Sequence, residues 1–130
     1  MAALQFEIRP SSGVPIYRQL MDQVRALSAS GVLKPGELLP SVRQLAAELE
    51  INMMTVSKAY TRLEAEGVVE RVRGRGMRIV EQDVKGSVSD RQAELAELAE
   101  ALVTRGQQLK LTEAQILSAV KSVLKERKNA

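Results

Sequence analysis

The sequence predicts a mostly helical chain with a small β element: a winged helix-turn-helix domain followed by a C-terminal two-helix dimerisation tail. Three observations predict it. Two amphipathic helical patterns abut across Ser41–Gly67 with about three residues of turn between them. An arginine-rich hairpin pattern, VVERVRGRGMRIV, follows at once. Two further helical patterns then complete the chain. The expected domains are residues 1–83 for DNA binding, 84–88 as a linker, and 89–130 as a helical hairpin for dimerisation.

The elements follow in order. Leu4, Phe6 and Ile8 alternate with other residues, which predicts a short strand. Pro15 suits a helix start. Ile16, Leu20, Val24 and Leu27 mark one helical face, and Gly31 ends it. Lys34-Pro35-Gly36 is a turn. Ser41 caps the next helix, with Gln44 completing a capping box; Val42, Leu45, Ala46 and Leu49 form its buried face. Asn52 caps a third helix whose apolar stripe is Val56, Ala59, Tyr60 and Leu63 and whose stop is Gly67. Two β-type runs flank Arg73-Gly74-Arg75-Gly76, a hairpin tip. In the tail, one helix runs from Ser89 to Thr104, with Leu95, Leu98, Ala99 and Leu102 on one face, and Gly106 breaks it. A second starts at Thr112, boxed by Gln115 and stapled by Leu111 and Ile116. Ile116, Leu117, Val120 and Val123 or Leu124 form its apolar face.

Composition excludes several classes. The net charge of +3 is too small by itself to argue for nucleic acid. The clustering of Arg71, Arg73, Arg75 and Arg78 says more, although a solvated loop is the plain alternative. The chain has no cysteine and no histidine, which removes thiolate chemistry, the commonest general base and the commonest metal ligand. Ser57 and Lys58 are adjacent and point about 100° apart on a helix, so they make no catalytic dyad. Glu94, Glu97 and Glu100 read as a solvated face. No catalytic residue, cofactor or metal is expected, and no enzyme. No signal peptide or apolar span is visible, so the chain is expected to be soluble and cytoplasmic, nucleoid-associated when bound.

The third helix carries the candidate reading surface. With Val56 at zero on a helical wheel, Ala59, Tyr60 and Leu63 fall within about 60° of it. Met54, Lys58 and Thr61 face the other way, with Thr55 and Arg62 on one flank and Ser57 on the other. Residues near the helix N-terminus reach base edges first, so Met54, Thr55, Ser57 and Lys58 are the candidates. Thr55 and Ser57 exchange hydrogen bonds, Lys58 reaches guanine or phosphate, and Met54 makes apolar contact, for instance with a thymine methyl. Met53 falls toward the core side. Asn52 is read as a cap ahead of a base reader. Arg43 is either a phosphate contact or a solvated arginine. Arg73 and Arg75 reach the minor groove or phosphate, and Gly74 and Gly76 either let the backbone come close or simply make the turn.

Several spaced motifs resemble the GntR family of bacterial transcription regulators. They are Pro15-Ile16-Tyr17, the run from Leu33 to Arg43, Thr55 to Tyr60, Leu63-Glu64, Glu66-Gly67 and Gly74-Arg75-Gly76. The resemblance implies a winged helix-turn-helix, a dimer and binding to double-stranded DNA at a near-palindromic operator; the main reading built on it is a homodimeric repressor that occupies a promoter, although the sequence does not give the sign of regulation. It marks Arg43, Asn52 to Ser57, and Arg73 to Gly76 as DNA contacts. Close relatives carry Asn-Pro-Asn-Thr where this chain has Asn52-Met53-Met54-Thr55, so their operator sequence does not transfer. The short tail is similar to the YtrA-type branch, whose members often regulate transporter operons. Its helices need a partner for their apolar faces, either another chain or the first domain. No dedicated effector domain and no membrane partner are expected, and the sequence assigns no small-molecule effector. The competing reading is a winged-helix protein-interaction module without DNA binding.

Overall fold

A computed structural model describes residues 6–128. It divides into two compact units, Met1–Gln82 and Asp83–Ala130.

The first unit holds helices α1 (Ile16–Ala29), α2 (Val42–Leu49) and α3 (Met53–Ala65) and strands β1 (Val69–Val72) and β2 (Gly76–Ile79). The expected strand at residues 4–8 is absent from its described part; Leu4 lies outside the described residues. Phe6 to Arg9 instead run alongside α1 and lead into a single 3₁₀ turn at Pro10–Ser12. Two glutamines one helical turn apart replace a strand partner. The Glu7 N–H donates to Gln23 Oε1 (2.9 Å) and Gln23 Nε2 donates to the Glu7 carbonyl (2.6 Å). Gln19 does the same for Arg9, at 2.8 and 3.0 Å. Each side-chain amide satisfies a backbone donor and acceptor as a neighbouring strand would. Alternation foretold the extended backbone but could not name its partner.

The caps of α2 and α3 are local. The Gln44 N–H donates to Ser41 Oγ (3.0 Å), but the Gln44 side chain turns to Glu48, so only half of the expected box forms. The Met54 N–H donates to Asn52 Oδ1 (2.7 Å). Between the helices, Glu50, Ile51 and Asn52 make the turn, with Glu50 in the left-handed region at φ 55°. Helix α3 closes with two backbone bonds, Gly67 N–H to the Glu64 carbonyl and Val68 N–H to the Leu63 carbonyl.

The core of this unit draws on its three helices and both strands. Leu20, Met21 and Val24 of α1, Leu45 and Ala46 of α2, and Val56, Ala59, Tyr60 and Leu63 of α3 are buried with Leu33, Leu39, Val69, Met77 and Ile79. The wing is an antiparallel pair with Glu70 opposite Arg78 and Arg71 opposite Met77. Gly36, expected as part of a turn, and the residues after it to Leu39 also pair with β2. The Leu39 N–H donates to the Met77 carbonyl (2.8 Å), and Gly36 and Glu37 exchange bonds with Ile79. The wing is thereby tied to the segment that leads into α2.

The second unit contains α4 (Val88–Glu94), α5 (Ala96–Gln108) and α6 (Glu113–Lys128). A reciprocal box between Ser87 and Asp90 starts α4 one residue before the expected boundary. The expected single helix is interrupted at Leu95, and it continues past Thr104 to Gln108. Gly106 therefore does not break it. Gly106 lies inside α5 and is buried, and a Cβ built there would stand 2.6 Å from both Cγ1 and Cδ1 of Ile116. Its role is to admit that side chain. The turn comes later, with Lys110 at φ 61°. Thr112 and Gln115 form the full reciprocal box, at 2.9 and 3.2 Å.

Candidate nucleic-acid interface

Helix α3 turns its apolar stripe inward and leaves a polar and cationic face outside. Met54, at the second helical position, is 78% exposed. Ser57 and Lys58 are exposed, while Thr55 is half-buried on the flank. Met53, expected to lean toward the core, is 47% exposed, because the core seam begins only at Val56. Asn52 is exposed, but its carboxamide oxygen serves the helix cap. Thr61 and Arg62 continue the outward face and line one shallow concavity with Met54, Ser57 and Lys58.

Arg43 is exposed at the second position of α2, beside a helix N-terminus whose free N–H groups favour anions. A cleft of about 140 Å³ separates this helix start from α3 and the wing; Ser41, Ser57, Thr61, Arg71 and Gly76 contribute to its walls. The segment before α2 is held by Tyr60, whose hydroxyl donates to the Pro40 carbonyl (2.7 Å). Burial, reinforced by the Glu48 carboxylate, pushes the Tyr60 phenol above its ordinary range, so it remains the donor.

The wing separates its arginines into two pairs. Arg71 lies 3.7 Å from Glu64, and Arg78 is bridged to Glu70, its cross-strand neighbour. Arg73 and Arg75 occupy the exposed tip and make no ion pair among the described residues. Gly74 and Gly76 have φ 78° and 117°, and a Cβ at either would meet nothing within 4 Å. These two glycines are thus required by backbone conformation and not by crowding within the chain.

One neighbour of the face carries no periodic signal in the sequence. The ring of Tyr17 on α1 lies under two α3 cations, with Lys58 Nζ 4.1 Å and Arg62 Cζ 4.9 Å from its centroid. The only trace of it in sequence is its place in the Pro15-Ile16-Tyr17 motif. No group of three or more carboxylates capable of holding a metal occurs among the described residues. No helix among them is long and apolar enough to cross a membrane.

Residues 16–79 match the model of bacterial regulatory proteins, gntR family. Over most of its length, the chain is similar to YtrA from Sulfolobus acidocaldarius, a GntR-family transcription factor. That protein is 32% identical, with a TM-score of 0.55, over 92% of this chain and 97% of the other. The chain belongs to the GntR family. Another similar structure is a transcriptional antiterminator from Listeria monocytogenes EGD-e, 28% identical, with a TM-score of 0.79 over 98% and 95% of the two chains. The HTH-type transcriptional repressor YtrA of Bacillus subtilis is 51% identical over 75 residues; the match spans 58% of this chain and 58% of that protein. As a GntR-family regulator the chain carries the family's DNA-binding domain in its first unit, and its relatives are transcription regulators and not enzymes.

Proposed function

We propose that this GntR-family chain is a homodimeric repressor that occupies a near-palindromic operator on double-stranded DNA. In this reading α3 enters the major groove, about 12 Å wide, and Met54, Thr55, Ser57 and Lys58 read base edges. Arg43 contacts phosphate, Asn52 sets the helix start, and Arg73-Gly74-Arg75-Gly76 reaches the minor groove or the adjacent backbone. The observation that carries the proposal is the adjacency of two features. The exposed polar and cationic face of α3 shares a cleft with Arg71 and Gly76 of the wing, and the wing tip carries Arg73 and Arg75, which pair with no carboxylate among the described residues.

The repressor role is supported by the name of the Bacillus subtilis relative. Dimerisation is assigned to the second unit. Its Leu98 and Leu124 are 69% and 64% exposed, and Leu95, Leu117 and Val123 are also exposed. Helices of this length with bare apolar faces are marginal until a partner covers them. Two such chains would place their α3 helices about one turn of DNA apart, ~34–36 Å. The target class is that of the short branch, a transporter operon.

Selection from random oligonucleotides, followed by gel shift and footprinting, tests this reading. A two-fold related motif, protected on one face of the duplex, is expected. A folded protein that retards no DNA at low salt would overturn it.

A further inference from the structure

We propose that Tyr17 is a positioning residue for DNA recognition: its ring holds Lys58 and Arg62 in place before DNA arrives. This rests on the DNA-binding reading given above. Both cations lie over the same ring, at 4.1 and 4.9 Å from its centroid, well inside the ~6 Å range of a cation–π contact. They belong to α3, whereas the ring comes from α1.

The arrangement answers a specific problem. Lys58 and Arg62 are four residues apart on a helix, the spacing at which like charges repel. Neither is bridged to a carboxylate among the described residues. A carboxylate partner would cancel their charge and occupy their N–H groups. An aromatic face attracts them through its quadrupole and leaves the donors open. Lysine keeps its three donors and arginine its five for phosphate or base acceptors.

The platform itself is fixed. Tyr17 is half-buried and packs against the hydrophobic core. Long flexible side chains lose rotamer freedom when they bind, and chains already confined lose less. Tyr17 thus strengthens recognition without being itself a base-reading residue.

Two variants separate the ring from the hydroxyl. Tyr17→Phe keeps the aromatic face; Tyr17→Leu keeps apolar bulk and removes it. On an operator fragment selected with the wild type, Tyr17→Phe should bind within about two-fold and Tyr17→Leu about five-fold more weakly. The salt slope should not change, since no phosphate-pairing cation is removed. In a Lys58→Ala/Arg62→Ala background, Tyr17→Leu should have no further effect. Without DNA, proton NMR should show the Lys58 Cε and Arg62 Cδ protons shifted upfield by the ring in wild type and Tyr17→Phe, and not in Tyr17→Leu. The proposal is overturned if the wild type lacks that shift, if Tyr17→Leu binds like the wild type, or if Tyr17→Phe falls as far as Tyr17→Leu. A wild type that retards no DNA at low salt overturns the DNA-binding reading and this one together. A wild type that binds, with Tyr17→Leu binding equally, overturns this one alone.

Discussion

The hydroxyl of Tyr60 donates a 2.7 Å hydrogen bond to the carbonyl of Pro40, joining the middle of α3 to the residue before the cap of α2. The bond spans 20 positions of sequence and sits at the edge of the core. It ties α3 to the segment that leads into α2. Arg43 and Lys58 project from α2 and α3.

Tyr60→Phe removes that donor and leaves the Pro40 carbonyl unpaired by it. The expected loss is about 1–2 kcal/mol in denaturant unfolding, with the fold retained. A change below ~0.3 kcal/mol would mean that water replaces the bond freely.

The same residue sets an alkaline limit. The Tyr60 pKa is raised in the folded chain above its ordinary value of 10.0. The unfolded chain therefore releases this proton first. The contribution of the neutral phenol is full below pH 10 and falls as pH rises above it. Comparison with Tyr60→Phe isolates this group. Stability of the wild type should decline more steeply between pH 9.5 and 11 than that of the variant, measured by denaturant midpoints; equal slopes would remove Tyr60 as the cause.

The two arginine pairs of the wing should differ in DNA binding. Replacing Arg73 and Arg75 with alanine is expected to weaken binding across all sequences and to lower the salt slope by about two. Replacing Arg71 and Arg78 also frees Glu64 and Glu70, so it should disturb hairpin stability more than the salt slope. Gel shifts at several salt concentrations, with thermal melts of the same proteins, separate the two effects. Equal slopes for the two double variants would contradict the division.

Gly106→Ala tests the tail. Alanine usually favours a helix over glycine by about 1 kcal/mol. Here the new methyl would meet Ile116 at 2.6 Å, and overpacking of that kind costs about 1–3 kcal/mol. A net loss is expected in the melt of the full chain, with partial recovery in Gly106→Ala/Ile116→Ala. Stabilisation by the single change would show that Ile116 moves aside without cost.

Glu50→Gly should act in the opposite direction. Glu50 is a non-glycine residue at φ 55° in the turn between α2 and α3. Glycine has no Cβ to strain there, so a gain of up to about 1 kcal/mol is expected despite the added freedom of the unfolded chain. An unchanged or lower melting temperature would show that the turn tolerates its side chain without strain.

Local chemistry was legible along the sequence. Ser41, Asn52 and Thr112 cap the helices they were expected to cap, because a short polar side chain meets an N–H two or three residues ahead. The apolar stripe of α3 is buried and Met54, Ser57 and Lys58 face outward, because periodicity alone sets a helix face. Misreadings arose where the partner lay far along the chain. Alternation at Phe6 and Ile8 suggested a strand, and the glutamines of α1 took the strand's bonds. Gly106 read as a stop because glycine often ends helices, while its actual neighbour, Ile116, lies beyond the next turn.

The sequence by itself determined the three helices of the first unit, the helix-turn-helix with its wing, the outward set on α3 and the family. The helices, the wing and the outward set follow from spacing, capping and turn chemistry within a few residues; the family follows from the resemblance of its motifs. Only the tertiary structure decided which cations are neutralised and which are held ready. Glu64 and Glu70 take Arg71 and Arg78, Arg73 and Arg75 stay unpaired among the described residues, and Tyr17 lies under Lys58 and Arg62. Charge and aromatic contacts depend on distances of a few ångströms between side chains, and folding brings together residues that spacing along one helix cannot relate.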